Sequence, residues 1–275
     1  MTATSAPRSS YADLDGLRLH YLEWGAPDAP PLVLLHALGA LVTAHDWEGV
    51  AAAMRGTHRV IAPDQRGFGA SDRAAAYSFQ LMVRDLELLV DRLDLDQLAL
   101  VGHSMGGTVA CLYAESRPER LRRLVLEDTL PPQEGRPLQP ADNPPWEFSG
   151  LDELLAVARA HGVQGADDEL RARHARATRP LDGGRVAFRL DPAVPPAIRA
   201  QLADPDPAWW RDLPRIEVPT LIVRGADSPV VDPERAALAA TAIPDCRVVD
   251  VARAGHHVHA DNPTDFLEAV RPFID

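Results

Sequence analysis

Ser104 stands in Gly102-His103-Ser104-Met105-Gly106, where a short apolar run, Leu98 to Val101, meets a helical pattern beginning at Met105. A Gly-x-Ser-x-Gly between a strand and a helix reads as a nucleophile elbow, with the serine on a strained turn and its hydroxyl exposed. The glycines have a physical reason: only residues without a β-carbon let strand and helix pass so closely around such a turn. Gly102, Gly106 and Gly107 supply that room. A hydroxyl is a weak attacker at neutral pH, so Ser104 needs a base within hydrogen-bond reach, and a developing oxyanion needs convergent backbone N–H groups. A bare strand-to-helix connection with Ser104 as N-cap has the same composition, so other segments must decide.

The elements around the elbow follow from periodicity. Short β-branched or leucine-rich runs predict strands at Leu17 to Trp24, Leu32 to His36, Val60 to Ala62, Leu98 to Val101, Leu124 to Glu127, Leu221 to Arg224 and Arg247 to Val251. Amphipathic segments near Ala44 to Met54, Ser78 to Leu93, Met105 to Ser116, Pro233 to Thr241 and Pro263 to Phe273 predict helices between them. Such alternation implies an α/β fold, a mostly parallel sheet of about eight strands with crossover helices on both faces. The stretch from Tyr11 to Trp24, broken at Asp15-Gly16, reads as an antiparallel hairpin at one edge.

The alternation stops between Leu130 and Pro214. That segment opens with the proline-rich Pro131 to Pro145, continues with helical patterns at Leu151 to Ala160 and Asp167 to Thr178, and closes on Trp209 and Trp210. It shows no evident strand. The reading is an inserted helical cap, 131–213, between two parts of a core, 1–130 and 214–275. Trp146, Phe148, Phe188, Trp209 and Trp210 set it apart from disordered insertions, which are poor in aromatic residues.

Composition excludes several classes. The 275 residues are 46% hydrophobic and 25% charged, ordinary for a globular protein. A formal net charge of −12 argues against nucleic acid or an anionic membrane surface as partner. The polar start, Met1 to Ser10, and an apolar stretch, Leu32 to Val42, interrupted by His36 and Gly39, give neither a leader nor a membrane span; a cytoplasmic monomer or homodimer is expected. Cys111 and Cys246 lack metal-ligand spacing and read as reduced core residues. No phosphate-binding fingerprint follows the first strand, and neither a cofactor nor a metal is expected.

Four separated segments, in order, resemble the α/β-hydrolase superfamily. Leu34-Leu35-His36-Ala37-Leu38 is similar to its loop after the third strand, with Ala37 where glycine is usual. Asp64-Gln65-Arg66-Gly67-Phe68-Gly69-Ala70-Ser71 resembles its Asp-x-Arg-Gly-x-Gly-x-Ser turn. Gly102 to Gly107 resembles its elbow, and Ala254-Gly255-His256-His257 with Asn262-Pro263 resembles its histidine loop. The resemblance implies Ser104 as nucleophile, His256 as base, and the Leu38 and Met105 amides as oxyanion hole. His257 and His259 would face the cap or solvent. His36 and His103 would serve loop packing and hydrogen bonding, with His36, like His257, beside the substrate pocket; Asp64 and Arg66 would form a structural turn network.

The acid stays open. The family's usual position, three residues after the glycine that ends the penultimate strand, holds Ser228 in Gly225-Ala226-Asp227-Ser228-Pro229. Some relatives carry the acid at the end of the sixth strand, where Asp128 stands; Asp227 is the alternative. The implied activity is cofactor-independent hydrolysis of an ester, thioester or lactone of a small, largely apolar substrate, with Trp146, Phe148, Trp209 and Trp210 among the pocket residues. The scaffold also hosts carbon–carbon and amide hydrolysis, perhydrolysis and cyclisation, and ligand binding without chemistry.

Overall fold

The structure, a computed structural model, describes residues 6–131, 146–160 and 166–275. Most of the proline-rich stretch, 132–145, therefore lies outside the described residues. The strands in chain order are β1 (Arg8–Leu14), β2 (Leu17–Trp24), β3 (Pro31–Leu35), β4 (Arg59–Pro63), β5 (Leu98–His103), β6 (Leu121–Glu127), β7 (Glu147–Phe148), β8 (Thr178–Pro180), β9 (Val186–Phe188), β10 (Thr220–Gly225) and β11 (Cys246–Val251). The helices are α1 (Glu48–Met54), α2 (Phe79–Arg92), α3 (Met105–Ser116), α4 (Leu151–Ala160), α5 (Asp167–Ala177), α6 (Val194–Ala203), α7 (Ala208–Arg211), α8 (Pro233–Ala242), α9 (Val258–Asp261) and α10 (Pro263–Ile274).

Eight strands form one sheet in the order β1-β2-β4-β3-β5-β6-β10-β11. β2 runs antiparallel to β1 and β4, and the remaining neighbours are parallel. The β1–β2 turn is Asp15-Gly16, both at positive φ (50° and 90°), the geometry a two-residue hairpin loop requires. Continuous apolar runs occur because both faces are covered: along β3 and β5, Val33, Leu35, Leu98 and Leu100 enter one core, and Leu32, Leu34, Ala99 and Val101 the other. The first core packs against α2 and α3, the second against α1 and α10.

The segment between β6 and β10 differs from the expectation of a strandless insertion. It contains the helices α4 and α5 where the periodicity put them, but also a small antiparallel sheet, β7-β9-β8. Its strands are two or three residues long, too short for alternation to register, and Thr178, expected as helix, begins β8. Phe148, Leu154 and Phe188 form its apolar cluster, which packs on Ala40 and Leu41 of the loop after β3. On another side Trp209 meets Phe79 of α2 edge-on at 5.4 Å, and Tyr77 donates to Asp191 at 2.7 Å. Cys111 and Cys246 are free thiols.

Phe188 is buried between Trp146 and Phe148, with ring centroids 6.0 and 5.3 Å away. Phe188→Ala should lower the unfolding free energy by about 3–5 kcal/mol, read as a reduced urea midpoint. An unchanged midpoint would show that this cluster contributes nothing to the stability of the fold.

Candidate active site

Ser104 caps α3 at φ 52° and ψ −116°, a region that side chains rarely occupy. Its hydroxyl makes no capping hydrogen bond, so the plain N-cap explanation fails. The turn is held by main chain: Ser104 N–H donates to the Glu127 carbonyl at 3.2 Å, and the Ser104 carbonyl accepts from Gly107 and Thr108. A β-carbon on Gly102 would lie 2.4 Å from the Gly106 carbonyl oxygen, and one on Gly106 the same distance from that of Leu35. The elbow's glycines are steric requirements of this crossing.

Asp128 follows β6 directly and is 0% exposed. Its φ of 44° turns the chain out of the sheet, while its N–H still bonds the Val223 carbonyl at 2.7 Å. Its carboxylate accepts from Gly225 N–H on Oδ1, and from Ser228 Oγ and His256 Nδ1 on Oδ2, the last at 2.8 Å. Asp227 is exposed, and its N–H is tied to the Ala254 carbonyl. Of the two acids left open by the sequence, the structure brings Asp128 to His256. Ser228, at the family's usual acid position, reaches the same carboxylate.

Because a carboxylate only accepts, the bond to Asp128 puts the proton of neutral His256 on Nδ1 and leaves Nε2 as the acceptor. The His256 side chain is 26% exposed, and its carbonyl accepts from His103 Nε2–H at 2.7 Å. Burial holds the His103 pKa well below the usual histidine value, which keeps that ring neutral.

The remaining expected residues divide by environment. Met105 opens α3 and Leu38 packs half-buried on the core; Ala37 is not among the residues with positive φ, so the loop does not need glycine there. His36 is buried, with Nδ1–H on the Ala37 carbonyl and Nε2 accepting Gln65 N–H, so both nitrogens are used in tying the loop after β3 to the turn after β4. Asp64 gathers His20 Nδ1, Ala44 N–H and Ala70 N–H, and Arg66 forks onto Asp85 with two 2.6 Å bonds. Phe148 and Trp209 are buried in packing, whereas Trp146 and Trp210 are half-buried. Trp210 Nε1–H donates to the Pro131 carbonyl.

His257 lines a cavity of about 240 Å³ together with Thr43, His45, Asp46 and two arginines of α5, Arg173 and Arg176. His259 departs only in part from the expectation that it faces cap or solvent: it lines the same cavity as Arg173 and Arg176, but its ring is turned inward. It is 8% exposed, stacks on Trp47 at 4.3 Å, and bonds Glu127 through both its main-chain N–H and Nδ1–H. Burial alone would lower the pKa of His259, but the Glu127 carboxylate raises it; burial would raise that of Glu127, but His259 and His103 draw it down. Glu127 was missed in the sequence, although a carboxylate ending an apolar strand is a signal that a partner must meet it. Among the described residues, His103, Glu127 and His259 also bring three potential metal-ligand atoms within 4.8 Å of one another.

The sequence signature described as alpha/beta hydrolase fold matches residues 30–263. The chain is 30% identical over 282 residues to the sn-1-specific diacylglycerol lipase ABHD11 of Mus musculus, covering 96% of this chain and 87% of that protein. It is 31% identical to the 3-hydroxybutyrate-oligomer hydrolase of Cupriavidus necator, over 77% of each. Among solved structures it resembles E-2-(acetamidomethylene)succinate hydrolase, with a TM-score of 0.82 and 25% identity, over 98% of this chain and 99% of that one. No helix among the described residues is long and apolar enough to cross a membrane. The strand order, the elbow and these matches together place the chain in the alpha/beta hydrolase family.

Proposed function

We propose that this hydrolase cleaves an ester, thioester or lactone of a small, largely apolar substrate through an acyl-enzyme on Ser104. His256 Nε2 takes the proton of Ser104 Oγ as the hydroxyl attacks the carbonyl carbon, then gives it to the leaving group as the bond to that group breaks. Water repeats the cycle on the acyl-enzyme and regenerates Ser104. Asp128 holds the imidazole in the tautomer that accepts at Nε2 and offsets the charge on the imidazolium. The Leu38 and Met105 amides receive the oxyanion.

The observation that carries this reading is the 2.8 Å bond from His256 Nδ1 to a buried, multiply hydrogen-bonded Asp128, together with an elbow that holds Ser104 at φ 52°. The relative named as a diacylglycerol lipase supports an ester as the scissile group. A serine at the elbow disfavours the chemistries that use aspartate there. The segment 131–213 serves as the cap, and Trp146 and Trp210, the half-buried members of the aromatic set, are its candidate acyl contacts.

A fluorophosphonate probe should label Ser104 in the wild-type protein. Ser104→Ala and His256→Ala should each lower turnover of p-nitrophenyl esters by about three or more orders of magnitude without loss of folding. Near-normal turnover in Ser104→Ala would end the serine-hydrolase reading. A protein that takes the probe but turns over only carbon–carbon or amide substrates would keep the nucleophile and change the scissile bond.

Asp128→Asn should cost on the order of 10⁴ in turnover, because the amide favours the wrong imidazole tautomer. Asp227→Asn should cost far less. The reverse ranking would move the orienting role to Asp227; near-wild-type rates in both variants would remove it from either carboxylate.

A further inference from the structure

We propose that Glu127 and His259 form a buried positioning pair that fixes the main chain around His256, an inference that rests on the reading of His256 as base. Glu127 is 0% exposed and ends β6 on the face that also carries Val125. That face belongs to an apolar layer with Trp47, Val258 and Phe266, and the imidazoles of His259 and His103 stand beside the carboxylate. A carboxylate is retained in such a layer only when it is paired and fully hydrogen-bonded. His259 meets that need, with its N–H and Nδ1–H both 2.8 Å from Oε1, and Nδ1 2.9 Å from Oε2.

A hydrophobic pair would fill this space without any charge to desolvate, so packing alone does not account for the arrangement. What the ion pair adds is direction. The carboxylate grips both the main chain and the ring of the same residue, which fixes α9 in register with the end of β6. His256 lies one residue before His257, the N-cap of α9. On its other flank the His256 carbonyl accepts from His103 Nε2–H.

The register is economical. His103 precedes Ser104 and Glu127 precedes Asp128, so the neighbours of the nucleophile and of the acid both reach back to the histidine segment. His256 is thereby referenced to the strand ends that carry its two partners. Displacements well under an ångström matter in such a constellation, which is why its supporting contacts should be directional.

The test uses the full chain and a p-nitrophenyl ester, with three readouts: thermal unfolding, the split between kcat and KM, and the His256 Nδ1–H proton signal by NMR. In Glu127→Leu/His259→Met no charge is stranded, so folding should survive with a similar Tm. Its kcat should nevertheless fall by about 10-fold or more with KM little changed, and the Nδ1–H signal should broaden. Glu127→Gln keeps an acceptor for both His259 donors and should stay within about threefold of wild-type kcat. If the double variant does not fold, Glu127→Gln/His259→Asn, a neutral polar pair with shorter reach, should show the same loss of kcat and the same broadening.

Wild-type kcat and a sharp signal in a folded double variant would reduce the pair to packing. A loss in Glu127→Gln as large as in the double variant would make charge, and not direction, the operative property. A stoichiometric divalent metal in the purified protein, whose removal lowers kcat, would replace the ion pair by a metal site. Failure of the probe to label Ser104 in the wild type would overturn the hydrolase reading alone, since the Nδ1–H signal still reports whether the pair positions His256.

Discussion

The site is organised by one bond, from the His256 imidazole Nδ1 to a carboxylate that water cannot reach. Asp128 supplies that carboxylate at the end of an interior strand. A lone ionised carboxylate with no exposure would be costly, and the cost is offset by three donors: Gly225 N–H, Ser228 Oγ–H and His256 Nδ1–H. The positive φ of Asp128 is the local consequence, because the chain must leave the sheet there and still aim the carboxylate at the histidine loop. Strain at Asp128 and strain at Ser104 occur at the ends of adjacent parallel strands, β6 and β5, and are linked by the Ser104 N–H to Glu127 carbonyl bond.

That placement explains the relation between Asp128 and Ser228. The loops after β6 and β10 converge because those strands pair directly. A carboxylate presented from either strand could in principle approach the imidazole Nδ1. With the Asp128 carboxylate at the end of β6, the β10 loop meets it with a donor, the Ser228 hydroxyl, where a second carboxylate would repel the first.

Much of this was legible in the sequence where periodicity or steric necessity left a mark. The strand Leu17–Trp24, the run Leu98 to Val101 within the longer β5, and the helix Met105–Ser116 announce themselves through apolar runs and the elbow glycines. Which carboxylate approaches His256 was not decidable from spacing, because Asp128 and Asp227 differ by where three loops meet, which is a tertiary property. The small sheet of the insertion was illegible for another reason: Thr178–Pro180 and Glu147–Phe148 are strands only because Val186–Phe188 lies between them. His259 was legible only in part: it borders the cavity shared with Arg173 and Arg176, but its position next to exposed Ala260 hides a ring turned inward onto Glu127 and Trp47.

Besides the packing of its apolar cluster on Ala40 and Leu41, the insertion meets the core along two seams of unequal character. Towards α2 it is held by buried apolar contact and by polar bonds of low exposure: Trp209 on Phe79, Val194 within the core, and Tyr77 on Asp191. Towards α1 the seam is ionic. Arg173 stands 3.7 Å from Asp46 and Arg176 3.0 Å from Glu48, with both arginine side chains 44% exposed. Exposed pairs of this kind contribute about 0–1 kcal/mol each and weaken with salt, whereas a buried aromatic contact resists both water and salt. Separating the α5 edge from α1 therefore costs far less than separating the Trp209 edge from α2. The cavity beside His257 lies along that weaker seam, so the polar approach to the histidine loop and the easier side of the insertion coincide.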